Sequence, residues 1–152
     1  MSYSPGMSNA IDEYTRLALR TDIETASPHR LILLLLDGAL DKLRASRAAM
    51  ARGQIAAKGT NVSWAISIID GLRASLNHEL GGQIAHNLDA LYDYMTRTLV
   101  AANLANDGGK LAEVEHLLNE IRGAWKGIEH QVERGQSAPV QNELGATARI
   151  YG

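Results

Sequence analysis

The sequence predicts an all-α fold, an antiparallel up-down four-helix bundle with an additional short N-terminal helix. Three observations point there. Apolar residues recur at helical spacing in four long stretches. Short polar or glycine-bearing connections separate these stretches, which favours antiparallel neighbours. No stretch alternates apolar and polar residues between hairpin turns, so no sheet is expected.

Taken in order, Ser8 or Asn9 can cap a short first helix over residues 10–20, with Ile11, Tyr14 and Leu17 at helical spacing. Ser27-Pro28 combines an N-cap oxygen with proline at the first helical position, opening a helix over 28–52 that stops at Gly53. The next helix spans 57–79, its stripe formed by Val62, Ala65, Ile69, Leu72 and Leu76, and Gly81-Gly82 ends it. Ile84, Leu88, Leu91, Met95, Leu99 and Ala102 line one face of a helix over 83–105. After the turn Asn106-Asp107-Gly108-Gly109, Leu111, Val114, Leu118, Ile121, Trp125 and Ile128 mark the last helix, 110–130. Residues 1–134 thus form one helical domain. The polar, glycine-containing stretch 135–152 is expected to be a flexible tail with Leu144, Ile150 and Tyr151 as its apolar anchors.

Composition narrows the function. A chain of 152 residues can bury a full core without staples, and with no cysteine it has no disulfide or thiolate chemistry. Fifteen Lys and Arg against seventeen Asp and Glu leave a net charge of -2, which argues against nucleic acid or anionic lipid as a partner. The start, Met-Ser-Tyr-Ser-Pro-Gly-Met, lacks the basic and apolar regions of a signal peptide. No apolar run nears the roughly 20 residues that span a bilayer. The expected location is the cytoplasm, without direct membrane insertion.

The most unusual feature is the run Leu31-Ile32-Leu33-Leu34-Leu35-Leu36. In a helix it places apolar side chains on every side, whereas a surface helix needs one stripe. At about 100° per residue, Ile32, Leu36, Ala39, Leu43 and Met50 form the core stripe, flanked by Leu35 and Leu40. Asp37, Asp41 and Arg44 fall on the opposite side. Leu34 lies outside the stripe with Gly38 and Ala45, and Leu31 and Ala49 sit just beyond it. A leucine beside small residues makes a shallow trough for another helix, which a neighbour within the bundle could equally fill. On the 57–79 helix Trp64 points away from the stripe, near Ser67, Gly71 and Ser75. Such a tryptophan is either a contact site or a partly covered surface aromatic. Trp125, on its helix's stripe, reads as core.

Reactive chemistry is scarce. Glu113 and His116 share the Glu-x-x-His spacing of di-iron bundles, but such sites need two of these units plus two further carboxylates facing inward. No metal site and no cofactor are expected. His86 lies on the outer side of its helix, where a bundle histidine can accept a phosphoryl group, and Ala85-His86-Asn87-Leu88 weakly resembles a phosphotransfer motif. Asp89 and Ala90 stand where that motif has a basic residue and a glycine. With no phosphate loop, paired inward carboxylates or nucleophile motif, the chain is not expected to be an enzyme and has no catalytic residues to name.

Several blocks in fixed order resemble the flagellin-specific export chaperone family (FliS). They are Ala26-Ser27-Pro28-His29-Arg30-Leu31-Ile32, Leu36-Asp37-Gly38-Ala39, and Ile68-Ile69-Asp70 with Leu76. Gly81-Gly82-Gln83-Ile84-Ala85-His86-Asn87-Leu88 is the clearest, running into Leu91-Tyr92-Asp93-Tyr94-Met95. Ala102-Asn103-Leu104, Asn106-Asp107, Glu113-Val114 and Ala124-Trp125-Lys126 complete the set. The resemblance implies a cytoplasmic chaperone that binds the disordered C-terminal segment of flagellin, prevents premature polymerisation and delivers it to the flagellar type III export gate. It also implies an N-terminal helix that covers cargo surface and takes part in docking to the gate's cytoplasmic domain. Ile11 and Tyr14 fit that role, or simply anchor the helix on the bundle. The tail after Gly135 has no counterpart in the family pattern, and Trp64 stands where a polar or charged residue is expected. Leu31, Leu34, Gly38, Ala45, Ala49, Trp64 and Gly71 are therefore the cargo-trough candidates. A phosphotransfer bundle, or a structural bundle that forms a weak homodimer without cargo, remains the alternative.

Overall fold

Three of the four described helices start where a side chain satisfies a free N–H group of the first turn; the one that opens after Gln54 has no side-chain cap. The structure, a computed structural model, describes residues 27–128; the expected 10–20 helix, Ile11, Tyr14 and the 135–152 tail lie outside them. Ser27 Oγ accepts from the Arg30 N–H at 3.0 Å, with Pro28 at the first helical position, and opens α1, Pro28–Ala51. The chain turns at Gly53, whose φ of 71° suits glycine, and α2 runs Ile55–Ala74. Asn77 caps α3, His78–Ala105, by accepting from Leu80 N–H. Asp107 caps α4, Gly108–Gly127, by accepting from Lys110 N–H. The described residues contain no strand.

Two boundaries differ from expectation. The second long helix stops at Ala74 rather than near 79, because the Ser75 hydroxyl folds back onto the Leu72 carbonyl at 2.7 Å and Asn77 starts a new helix at once. The glycine pair is not the boundary; it lies within the first turns of α3. Gly82 there adopts φ 54° and ψ -130°, a break in an otherwise helical path. The helix expected from 83 thus corresponds to the part of α3 beyond the break.

The chief packing partners of α1 are α2 and α4, and those of α3 are the same two helices. Cross-helix pairs fix the directions. Ser46 Oγ donates to the Lys58 carbonyl at 3.3 Å while Lys42 lies over Trp64, so residue numbers fall along α1 as they rise along α2. Lys58 Nζ donates to the Asn103 carbonyl at 2.8 Å and to Asn106 Oδ1, whereas Arg73 grips Asp89 and Asp93, so α2 and α3 also run oppositely. Arg47 pairs with Glu115 and Asp37 with Arg122, so α1 and α4 run oppositely as well.

The core these helices enclose holds Leu36, Leu43, Ile69, Leu72, Met95, Leu99, Leu118 and Trp125, each inaccessible to water. Leu33 and Leu40, one unassigned on the wheel and one placed at its flank, are as deeply buried. Met50, expected in the stripe, is only half-buried. Asp37 is not on an outer face: it sits at the α1–α4 seam and takes the Arg122 guanidinium. On α3, Ala85 and Tyr92 are core while Ile84 and Leu91 are half-buried, so the buried face is rotated slightly from the predicted stripe. Burial pushes the Tyr92 phenol far above its ordinary pKa.

Trp125 closes the ring of helices. Its indole N–H donates to the His29 carbonyl at 2.8 Å, and its ring stacks on the His29 imidazole at 4.8 Å between centroids. The first turn of α1 is thereby clasped to the last turn of α4.

Candidate functional site

The apolar run resolves by position on α1. Ile32, Leu33 and Leu36 face the core, while Leu31, Leu34 and Leu35 are half-buried on its margin. The α1–α2 register decides what lies beside them. Lys42 Nζ sits 3.6 Å from the Trp64 ring centroid. Eight residues back along α1 from Lys42 is Leu34, and eight residues forward along α2 from Trp64 is Leu72, the neighbour of Gly71. At a common rise per residue in antiparallel helices, Leu34 comes level with Leu72 and within one residue of Gly71. The same count sets Gly38 level with Ile68 and within one residue of Ser67; Gly38 and Ser67 are both buried.

The candidates therefore divide. Leu31, Leu34, Trp64 and Gly71 are half-buried, Ala45 is exposed, and Gly38 and Ala49 are buried. The small buried residues cannot themselves be touched by a large surface; they set how deep the seam between α1 and α2 is. Trp64 corrects the expectation of an outward side chain. Its ring packs against the core cluster and its face is covered by the Lys42 ammonium, a cation–π contact. Its Nε1 is shielded from water and has no hydrogen-bond partner among the described residues.

The opposite seam, between α2 and α3, is ionic. Arg73 donates to both carboxylate oxygens of Asp89 and to Asp93, which also receives Arg97. The hydrogen bond from Arg73 chiefly holds the Asp89 carboxyl below the usual range, and that from Arg97 does the same for Asp93. His86 is exposed one turn from Asp89, the carboxylate that Arg73 holds. Glu113 accepts the Tyr94 hydroxyl and His116 is 73% exposed, so the Glu-x-x-His pair faces outward. Among the described residues no cluster of three or more His, Asp or Glu side chains could hold a metal ion.

Two features escaped the wheel. Lys42 covers Trp64, and no residue spacing within one helix reveals that contact. A second apolar group, Ile55, Val100 and Leu104, stands exposed around the end of the bundle where Lys58 meets Asn103 and Asn106, with Leu104 82% exposed. The signal was present for it: Val100 and Leu104 lie four residues apart and off the Leu99–Ala102 stripe.

Comparison with known proteins gives this geometry a context. The family model described as flagellar protein FliS matches residues 9–132. The chain is 46% identical over 121 residues to a flagellar secretion chaperone FliSB of Pseudomonas aeruginosa, covering 80% of this chain and 96% of that relative. It is 47% identical over 122 residues to flagellar secretion chaperone FliS of Salmonella typhimurium, covering 80% and 90%. The corresponding protein of Bacillus subtilis is 37% identical over 107 residues, covering 70% and 79%. These relatives are named as chaperones and not as enzymes. Family model and relatives together span all four helices and their seams: the chain belongs to the FliS family of flagellar secretion chaperones.

Proposed function

We propose that this chain is a cytoplasmic export chaperone that binds the disordered C-terminal segment of flagellin, keeps it from polymerising prematurely and delivers it to the flagellar type III export gate. The chaperone names of its relatives support the general role. The observation that carries the cargo site is the half-buried set Leu31, Leu34 and Leu35 on α1, with half-buried Gly71 close to the level of Leu34 on α2 and half-buried Trp64 about two turns further along the same seam. A disordered segment loses about 1–2 kcal/mol of backbone entropy per residue ordered, and each leucine-sized anchor it buries returns about 1.5–3 kcal/mol. Binding therefore requires apolar anchors at helical frequency along a seam, the helix-in-groove mode.

In this reading the bundle is up-down and antiparallel, with a short helix over residues 10–20 laid on it. That helix, carrying Ile11 and Tyr14, covers the seam when cargo is absent; cargo displaces it, and the freed helix engages the gate. Covering limits self-association of the empty chaperone. Among the described residues no helix is long and apolar enough to cross a membrane.

The test is calorimetric titration of a flagellin C-terminal peptide into wild type, Leu34→Asp and Trp64→Asp, with helicity checked by circular dichroism. Both variants are expected to stay helical and lose most of their affinity. Folded variants that bind like wild type would place the cargo elsewhere on the bundle.

A further inference from the structure

The two tryptophans of this chain solve the same problem differently. Trp125 is buried and its N–H has an acceptor, the His29 carbonyl at 2.8 Å. Trp64 is half-buried, yet its N–H is equally cut off from water and meets no acceptor among the described residues. A buried donor without a partner carries its full desolvation penalty. Phenylalanine at 64 would pack the same flank without that penalty, so the packing alone gives no reason for an indole.

The surroundings say what kind of acceptor the site suits. Lys42 holds one face of the ring and supplies a positive charge 3.6 Å from its centroid, which favours an oxygen nearby. Ser67 and Gly71 follow Trp64 at three and seven residues, on the same side of α2. Gly38 lies across the seam with no side chain at all. Gly71 is half-buried and lets a backbone come close, where a larger residue would hold it off by a side chain's width, while buried Gly38 and Ser67 set the depth of the seam. The movable part of the rim is Lys42, whose flexible stem can swing aside.

We propose that Trp64 Nε1 is the polar anchor of the trough and donates a hydrogen bond to a backbone carbonyl of the bound flagellin segment. This rests on the seam being the cargo site, and it adds the one directional contact that the apolar anchors lack. An arriving segment has such carbonyls free wherever its own helix ends or breaks. The bond fixes the register of the segment along the seam, which leucine burial alone leaves free to slide.

The experiment is a titration of ¹⁵N-labelled full-length chain with the flagellin C-terminal peptide, following the two indole N–H resonances, paired with calorimetry on Trp64→Phe. The Trp64 resonance is expected to move downfield and exchange more slowly with solvent on saturation, while that of Trp125 stays in place. Trp64→Phe should bind about five- to tenfold more weakly, the range for one neutral hydrogen bond. It should be at least as stable as wild type, because it removes a buried N–H that has no acceptor among the described residues. An unmoved Trp64 resonance at saturation overturns the proposal, as does Trp64→Phe affinity within twofold of wild type. Absence of any binding by the wild-type chain overturns the cargo reading itself, and this anchor with it.

Discussion

Replacing Gly82 and replacing Gly123 with alanine should move stability in opposite directions, although an added methyl meets nothing within 4 Å at either position. Packing is thus removed from the comparison and backbone conformation is left. Gly82 sits at φ 54° and ψ -130°, where a Cβ collides with its own backbone. Holding a non-glycine residue in such a region costs about 1–3 kcal/mol. Alanine also stiffens the unfolded chain, which offsets about 0.4–1 kcal/mol of that. The net expectation for Gly82→Ala is a loss of about 1–2 kcal/mol. Gly123 lies inside α4 with its φ in the ordinary range and its surface exposed. Gly123→Ala should therefore gain about 0.5–1 kcal/mol from helix propensity. Urea unfolding followed by circular dichroism measures both, with thermal midpoints shifting by roughly 4 °C per kcal/mol. If Gly82→Ala is as stable as wild type, the break in α3 is not held by the bundle and the argument from its dihedral angles fails.

Two further predictions concern charge. Arg47→Ala strands the Glu115 carboxylate, whose side chain is only 10% exposed, and should cost about 1.5–3 kcal/mol. Arg44→Ala breaks the exposed pair with Asp41 and should cost about 0.5 kcal/mol or less; equal losses in urea unfolding would refute the distinction. The second concerns acid. Asp89 and Asp93 titrate below their ordinary range in the folded protein, so the unfolded chain binds protons first as pH falls. Their contribution is complete above the usual carboxylate range, near pH 4–5, and fades as pH drops through the lowered values. Urea midpoints measured from pH 7 to pH 3 should fall, and Arg73→Gln should flatten that fall; an unchanged slope would remove Arg73 as its cause.

What the sequence showed of this fold was what one helix can show by itself. Ser27-Pro28 announced the start of α1, and the recurrence of Leu111, Val114, Leu118, Ile121 and Trp125 announced the buried face of α4. The end of α2 was missed because two adjacent glycines outweigh a Ser-Leu-Asn turn as punctuation, although the side chains of Ser75 and Asn77 make the actual boundary. Contacts between helices were beyond reach of any wheel. Asp37 and Arg122 are 85 positions apart, Arg47 and Glu115 are 68, and nothing in their local spacing links them. The candidate site shows the same division. That Leu34 belongs to another side of α1 than Leu36 follows from 100° per residue. That Trp64 leans on α1 beneath Lys42 follows only from how α1 and α2 are placed.

The clasp between His29 and Trp125 also has a consequence in time. Its hydrogen bond joins residues 96 positions apart, whereas α1–α2, α2–α3 and α3–α4 are neighbours joined by short turns. Closing a loop of that length in a bare chain costs about 4 kcal/mol by the (3/2)RT ln n relation. Helical hairpins form from local contacts and form fast. The clasp is accordingly expected to form late on the folding route, so that weakening it should speed the opening of the bundle more than it slows assembly.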